Sequence, residues 1–254
     1  MGLMHSPGAA YGWRARIGLL QPGVVSDTNP YEFYLMAPEG VQMVLTSLGL
    51  GGMSEANYQR VIANLETPVE RLLLREPDAI IQTGIPPLVH HGWGIEEKLR
   101  ERVAKLTPIP YITDAAASIA AMRVLNIKRV AVVSGFDDHM VGLIKTYLGH
   151  AGIEVMAHGN VHREPRGHSG GLPLEVVYRT ARQTYLDHGG EADGFWITEA
   201  SIPSVGVINE LETDLQVPVV TSAQALMWAG LLLAGVREPV RGFGRLFEVQ
   251  QIAY

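Results

Sequence analysis

Short apolar segments alternate along the chain with longer segments in which apolar residues recur every three or four positions. The short segments end at glycine, proline or small polar residues and are typical of buried strands, whereas the longer ones have the spacing of helices. Ser54 is expected to cap a helix that runs to about Leu74. The predicted strands are 16–21, 41–47, 79–83, 111–113, 129–134, 154–157, 194–198 and 217–220. The further predicted helices are 95–106, 115–125, 138–151, 175–188, 205–215 and 223–234.

The regular alternation of strands and helices predicts an α/β protein built on doubly wound, mostly parallel sheets with helices on both faces. Three pairs of segments also resemble one another about 110 residues apart. These pairs are 78–84 with 193–199, 109–113 with 217–221 and, more weakly, 17–21 with 130–134. We infer an internal duplication that gives two pseudo-symmetric halves. The first half is predicted to comprise residues 1–122 plus 222–254, and the second residues 123–221.

Ligands of doubly wound sheets bind beyond the carboxyl ends of the strands, where helix N-termini also point. Two halves that face each other would enclose one pocket between these ends. Gly84 and Glu199 follow equivalent strands and are expected to lie across this pocket from one another. The duplication therefore predicts one shared site with a bare glycine on one side and a carboxylate on the other.

Glu199 closes an otherwise apolar strand and is the main catalytic candidate. A carboxylate in a partly dry cleft suits a general acid or base. Two other interpretations stay open: Glu199 caps the following helix, whose expected N-cap is Ser204, or it only contacts a ligand.

Residues beside the strand ends are the candidates for substrate binding. Thr83 and Thr198 occupy matching places, and their hydroxyls suit either a helix cap or a hydrogen bond to a substrate carboxylate. Gly135 lies at a further strand-to-helix junction, where a glycine permits close approach to a small anion. The candidate substrate-binding residues are Pro22, Gly23, Thr83, Gly84, Ile85, Gly135, Phe136, Thr198, Ala200 and Ser201.

Cofactor and metal motifs are missing from the sequence, so we expect neither a cofactor nor a metal. Cysteine is absent, which removes thiol nucleophiles and zinc–thiolate sites. No dinucleotide fingerprint or phosphate-binding loop is present. The one conceivable metal set combines His90 or His91 with His139 and Glu199, although solvated histidines are the simpler interpretation.

The segment 158–171 is long, polar and rich in glycine, and is either a lid or a solvated loop. As part of a lid, Arg163 and Arg166 could pair with a substrate carboxylate.

The composition of the chain excludes some classes of binding partner. Apolar residues make up 47% of the chain, which allows a large core, and the net charge of −6 argues against nucleic acid or an anionic membrane. The longest apolar stretch, 223–236, is too short to span a bilayer, and residues 1–16 lack the apolar core of a signal peptide. We therefore expect a cytoplasmic protein. Trp228 and residues 231–233 fit either the core or the interface of a homo-oligomer.

Four motifs carry a family resemblance. The segments 11–18 and 36–40 are similar to the opening of maleate isomerases, and 47–52, continued through Tyr58, resembles arylmalonate decarboxylases. The closing segment 242–247 is similar in both. With these motifs in this order, the chain resembles the aspartate/glutamate racemase superfamily over nearly its whole length, and within it the arylmalonate decarboxylase and maleate isomerase branch.

The resemblance implies two flavodoxin-like halves, a site between them and chemistry without a cofactor. In this superfamily, cysteines at one or both of the strand ends carry the proton transfer or nucleophilic attack. Here those positions match Gly84, as in the decarboxylase, and Glu199, which departs from the family pattern. A carboxylate can move a proton but is a poorer nucleophile than a thiolate, so covalent maleate isomerisation is not expected.

Ile85, Pro86 and Phe136 stand where the decarboxylase carries hydroxyl side chains that stabilise developing charge. Three lost donors would cost several kcal/mol if each contributes roughly 2 kcal/mol, so decarboxylation of arylmalonates by the usual means is not expected either. The same residues, together with Pro87 and Ile202, predict an unusually apolar pocket.

These observations predict a cofactor-independent isomerase, racemase or decarboxylase-like lyase. Its substrate would be a small carboxylic or carbonyl compound, with Glu199 as general acid or base. The alternatives are a hydrolase or hydratase in which Glu199 activates water, and a binding protein that has lost the chemistry.

Overall fold

A computed structural model describes residues 11–161 and 171–252, and within these ranges eight strands form two parallel sheets. The first sheet has the order β2-β1-β3-β4 and the second the order β6-β5-β7-β8. The strands are β1 (Ala15–Gly23), β2 (Val41–Leu50), β3 (Ala79–Gln82), β4 (Tyr111–Thr113), β5 (Arg129–Ser134), β6 (Glu154–Asn160), β7 (Gly194–Ile197) and β8 (Val219–Thr221). The predicted α/β class and the two similar halves are confirmed.

Helices connect successive strands, as parallel pairing requires. In the first half these are α1 (Thr28–Met36), α2 (Glu55–Ala63), α3 (Glu66–Leu73), α4 (Ile85–His91), α5 (Ile95–Ala104) and α6 (Asp114–Val124). In the second they are α7 (Asp138–His150), α8 (Leu174–Thr184) and α9 (Ile208–Leu215), and α10 (Ser222–Leu233) follows the last strand, β8. A π-helical turn, Tyr185–Gly189, extends α8, and 3₁₀ turns lie at Val205–Val207 and Arg245–Glu248.

The duplication extends to individual hydrogen bonds. Asp78 accepts a bond from the Arg16 backbone N–H at 2.7 Å, and Asp193 accepts one from the Arg129 N–H at 3.0 Å. Thr113 and Thr221 cap α6 and α10 in the same way, by accepting from the N–H three residues later. Equivalent polar residues therefore fix equivalent strand and helix ends in both halves.

The strands β3 and β7 also end at equivalent positions in the two halves. The Thr83 N–H donates to the Leu20 carbonyl and the Thr198 N–H donates to the Val133 carbonyl, both at 3.0 Å. Each bond extends the ladder one residue beyond the central strand pair. The residues that follow, Gly84 and Glu199, consequently leave their sheets at matching positions.

Several predicted elements differ from the structure. The predicted helix from Ser54 to Leu74 is two helices, because α2 ends at Asn64 and Pro68 sits in the first turn of α3, where proline is tolerated. Helices α1 and α4 were not predicted. The three residues from His158 to Asn160 belong to β6 rather than to a loop. The predicted boundary at residue 122 falls in the last turn of α6, and the division into halves at residues 122 and 222 stays a prediction.

Helix α10 packs directly on the first sheet. A Cβ atom at Gly230 would lie 3.2 Å from Ile17 and 3.1 Å from Ile81, so the helix contacts β1 and β3 closely at this position. Trp228, Leu231 and Leu232 are buried within the chain and belong to the core. Every helix in the described ranges falls short of the length and apolarity that a membrane span requires.

Candidate active site

A cavity of about 230 Å³ lies between the two halves, beyond the carboxyl ends of β1, β3 and β7. Gly84 lines it from the first half and Glu199 from the second. The other polar lining residues are Gln21, Ser26, Asn29, Thr83 and Ser201. The other lining residues are Pro22, Gly23, Val25, Leu50, Met53, Ile85, Pro86, Pro87, Phe136 and Ala200.

The carboxylate of Glu199 is half-buried in the wall of this cavity and accepts hydrogen bonds from two loops. Its Oε2 accepts from the Gly135 backbone N–H at 3.3 Å, and its Oε1 accepts from the Ser201 hydroxyl at 2.9 Å. Its backbone has φ of +83°, which is uncommon for a residue other than glycine. The side chain is thus held at a fixed place, on a strand end with a strained backbone.

Gly84 forms the opposite part of the lining and begins α4 with φ of +116°. A Cβ atom here would lie 2.8 Å from Cγ of Pro22, so the position has no room for a side chain. Pro86 and Pro87 follow in the first turn of α4 and have no N–H to donate. This side of the cavity is therefore both bare and poor in hydrogen-bond donors.

Asp114, the first residue of α6, lies fully buried beneath Gly84. Its Oδ2 accepts from the Gly84 N–H at 3.3 Å and from the Thr83 hydroxyl at 3.5 Å, and its Oδ1 accepts from Ser118 at 3.3 Å. Burial raises the pKa of Asp114 to about 6, against the opposing effect of these hydrogen bonds. Its position directly after the Thr113 strand end was the sequence signal that could have revealed it.

Glu32, on α1, was not predicted as a site residue. Its Oε1 accepts from the backbone N–H groups of Ser204 at 2.6 Å and Val205 at 2.9 Å. Burial raises the pKa of Glu32 to about 7. Ser204 does occupy the N-cap position, but its side chain makes no cap bond, and the acceptor comes from the other half. Glu32 accepts both of these amides, and the interpretation of Glu199 as a cap of this turn stays a prediction.

Two predicted substrate-binding residues do not line the cavity. Gly135 donates its backbone N–H to Glu199 and lines a neighbouring cavity. Thr198 is fully buried, and its hydroxyl has no hydrogen-bond partner among the described residues. Ile202, expected near the pocket, is also fully buried. Alternating side chains along a strand point to opposite faces, so a residue next to a strand-end site residue need not reach the site.

A second cavity of about 450 Å³ adjoins the first and shares Met53 and Phe136 with it. His90 and His139 line this second cavity, whereas Glu199 lines the first, so the conceivable metal set is split between them. Across residues 11–161 and 171–252, no three histidine, aspartate or glutamate side chains are grouped so as to hold a metal ion.

The segment 158–171, expected to be either a lid or a solvated loop, is described only at its two ends. His158 lies in β6, where its Nε2 is 2.9 Å from the Ser134 hydroxyl. Burial, and to a lesser extent the charge of Lys145, holds the pKa of His158 below its usual value. Arg163 and Arg166 lie outside the described residues.

The side chains that line the first cavity are mostly uncharged. Among the described residues that line the first cavity, none is lysine, arginine or histidine, and Glu199 is the one ionisable side chain. Neutral donors are available at Ser26, in the connection from β1 to α1, and at Asn29, in the first turn of α1. Both were missed, although the rule that sites form at strand ends applies to β1 as it does to β3 and β7.

Most of the chain matches a single family of known proteins. A profile of the arylmalonate decarboxylase family matches residues 17–247. The chain belongs to the arylmalonate decarboxylase family. An arylmalonate decarboxylase from Bordetella bronchiseptica is 25% identical over 215 residues, which are 81% of this chain and 85% of that protein.

Solved structures of the same branch share the fold. The crystal structure of arylmalonate decarboxylase matches with a TM-score of 0.82 at 21% identity, covering 92% of this chain and 99% of that one. The maleate isomerase Iso from Pseudomonas putida S16 matches with a TM-score of 0.82 at 22% identity, covering 93% and 99%. The resemblance predicted from the motifs is confirmed, and the family member described here is an enzyme of this general type.

Proposed function

We propose that this enzyme moves a proton to or from a carbon atom next to a carboxylate or carbonyl group, with Glu199 as general acid or base and without a cofactor. The reaction is an isomerisation, a racemisation or a lyase reaction of the decarboxylase kind. One observation carries the proposal: Glu199 is the single ionisable side chain among the described residues that line the interdomain cavity.

The surroundings of Glu199 suit proton transfer better than nucleophilic attack. A carboxylate is a weak nucleophile toward an activated double bond, but a positioned carboxyl group contributes typically 10²- to 10⁴-fold to proton transfer. The bonds from Ser201 and Gly135 fix its orientation. Because Gly84 offers no side chain, the proton is exchanged from the Glu199 side of the cavity.

The lining also indicates the kind of substrate. The relatives are named for their action on arylmalonate and maleate, which are small carboxylates. In a cavity of about 230 Å³ without a described cationic side chain, a carboxylate would be bound by neutral donors such as Ser26 and Asn29. Pro22, Ile85 and Phe136 would contact an apolar substituent. We therefore propose a small monocarboxylate or carbonyl compound with an apolar group on the reacting carbon.

The test is solvent isotope incorporation. Purified enzyme is incubated in D₂O with arylmalonates, maleate, 2-arylpropionates and related 2-substituted acids, and the products are analysed by NMR and mass spectrometry. We expect deuterium on the reacting carbon with the natural sequence and with Glu101→Gln, which changes an exposed acid on α5. Glu199→Gln should lose at least about 100-fold in rate while it retains its fold.

Two results would contradict the proposal. Undiminished deuterium incorporation in Glu199→Gln would show that another group moves the proton. Labelled oxygen from H₂¹⁸O in the product, without deuterium on carbon, would indicate that Glu199 activates water for hydration or hydrolysis instead.

A further inference from the structure

The segment that carries Glu199 is anchored to the opposite half of the molecule. Glu32 on α1 accepts the Ser204 N–H at 2.6 Å and the Val205 N–H at 2.9 Å, across 172 and 173 positions of sequence. Glu32 is 3% exposed. A carboxylate that accepts two backbone N–H groups at a helix start, away from water, makes stronger bonds than neutral acceptors do.

The connection from this anchor to Glu199 is short and stiff. The Ile202 N–H donates to the Glu199 carbonyl at 2.9 Å, which closes the chain from 199 to 202 into a turn. Pro203 follows and restricts the backbone before Ser204. Few torsions therefore separate the anchored amides from the backbone of Glu199.

Glu199 needs such an anchor because of its backbone. A residue other than glycine at φ of +83° is strained, and such conformations persist only where the surrounding structure fixes them. At the matching strand end, Gly84 adopts φ of +116° without a side-chain penalty. Of these two matching strand ends, only the one that carries the carboxylate is strained.

The same helix that bears Glu32 also lines the cavity. Asn29 lies one helical turn before Glu32 on α1 and contributes to the cavity wall. Through Glu32, this wall is bonded to the segment that carries Glu199. The two carboxylates have different tasks: Glu199 faces the cavity, whereas Glu32 is buried behind it.

We propose that Glu32 is a positioning residue. It fixes the Glu199 carboxylate relative to the part of the cavity lining that Asn29 and α1 supply. This inference rests on the proposed function of Glu199. Loss of the anchor would let the strained turn at 199–202 relax and would misplace the carboxyl group, without removing any group that touches substrate. The expected consequence is a lower kcat with little change in KM.

The experiment is a double-mutant cycle with Glu32→Ala, Glu199→Gln and the double variant, assayed with the best substrate of the D₂O panel. Glu32→Ala should lower kcat about tenfold or more and change KM less than about threefold. In the Glu199→Gln background the same change should have no further effect, because the group it positions is gone. Glu32→Gln keeps an acceptor oxygen for the two amides and should restore most of kcat.

A second readout needs no substrate. Hydrogen exchange of peptides that cover residues 199–207 should be faster in Glu32→Ala than in the natural sequence and near the natural rate in Glu32→Gln. Glu39→Ala, which removes an exposed acid just after α1, is the matched control and should change neither kcat nor exchange.

The possible results distinguish failure of the positioning role from failure of the proposed function on which it rests. Full activity in Glu199→Gln overturns the proposed function and this inference with it. Loss of activity in Glu199→Gln together with an unchanged kcat in Glu32→Ala overturns the positioning role alone. An equal loss from Glu32→Ala in both backgrounds also overturns it, because that result indicates a general structural defect. If Glu32→Ala does not fold, Glu32→Asp, whose shorter side chain withdraws the oxygen from the amides, takes its place in the cycle.

Discussion

The backbone N–H of Gly84 donates a hydrogen bond of 3.3 Å to Oδ2 of Asp114, thirty positions later in the chain. This bond joins the end of β3 to the start of α6 beneath the cavity. Asp114 thus holds the bare side of the cavity directly, while Glu32 holds the Glu199 side through Ser204 and Val205. The chain that follows β3 and the chain that follows β7 are thus each tied to a buried carboxyl group.

Replacing Asp114 should therefore destabilise the fold. Asp114→Ala leaves the Gly84 N–H and the buried Ser118 hydroxyl without their acceptor, which should lower the free energy of unfolding by about 2–4 kcal/mol. Asp114→Asn keeps a carbonyl oxygen and should cost clearly less. Urea denaturation of the two variants measures the difference. Equal losses would show that the carboxyl oxygens do not carry this contribution.

A side chain at Gly84 should be costly for two separable reasons. Gly84→Ala places a methyl group 2.8 Å from Pro22 Cγ and forces an L-residue to adopt φ of +116°, so we expect a loss of about 2–3 kcal/mol. Gly92→Ala is the matched control, because Gly92 has φ of +77° but no atom within 4 Å of the added carbon. It should lose only about 1 kcal/mol. Similar losses in thermal or urea unfolding would exclude a role for the Pro22 contact.

The sequence allowed the strands and their duplication to be predicted because buried parallel strands leave a strong pattern. The strand cores are almost wholly apolar, and the repeat of Asp78 as Asp193 marks equivalent starts. Once the halves were aligned, Gly84 and Glu199 followed as residues of one cavity. Position along a strand was therefore sufficient to find these two residues, although not the lining residues Ser26 and Asn29.

The supporting carboxyl groups could not be predicted, because their role depends on contacts between distant segments. Glu32 lies on a short helix with little periodicity, and nothing near it in sequence indicates that it reaches Ser204. Helix α4 was missed for a related reason: Pro86 and Pro87 read as a loop, although proline fits the first turn of a helix. Local patterns predicted the strands, whereas the cross-half bonds required the tertiary structure.

Ser201 is expected to contribute to the orientation of Glu199. Ser201→Ala removes the hydroxyl that donates to Glu199 Oε1 at 2.9 Å. A typical side-chain hydrogen bond contributes about 0.5–1.5 kcal/mol net, so kcat should fall roughly threefold to tenfold. Steady-state kinetics should show the loss in kcat, and Ser201→Thr, which keeps a hydroxyl, should retain more activity. A larger loss in the threonine variant than in the alanine variant would contradict this role.

Buried acids make the stability of the protein dependent on pH. Glu96, on α5, is partly buried and accepts hydrogen bonds from the hydroxyls of Thr113 and Tyr147. Burial raises its pKa to about 7 from an ordinary value of 4.5. Glu32 and Asp114 are shifted in the same direction by the same cause. Below pH 4.5 both the folded and the unfolded chain hold the Glu96 proton, so its contribution is then fully present.

As the pH rises from 4.5 to 7, the unfolded chain releases the Glu96 proton before the folded protein does, so unfolding becomes easier. The free energy of unfolding should fall across this range, by up to about 3 kcal/mol for Glu96, and should level off above pH 7. Urea denaturation at pH 5 and pH 8 tests this, and Glu96→Gln should reduce the difference whereas Glu97→Gln, at an exposed neighbour, should leave it unchanged. If Glu96→Gln retained the full difference, the dependence would have to arise from other groups, since glutamine has no proton to release in this range.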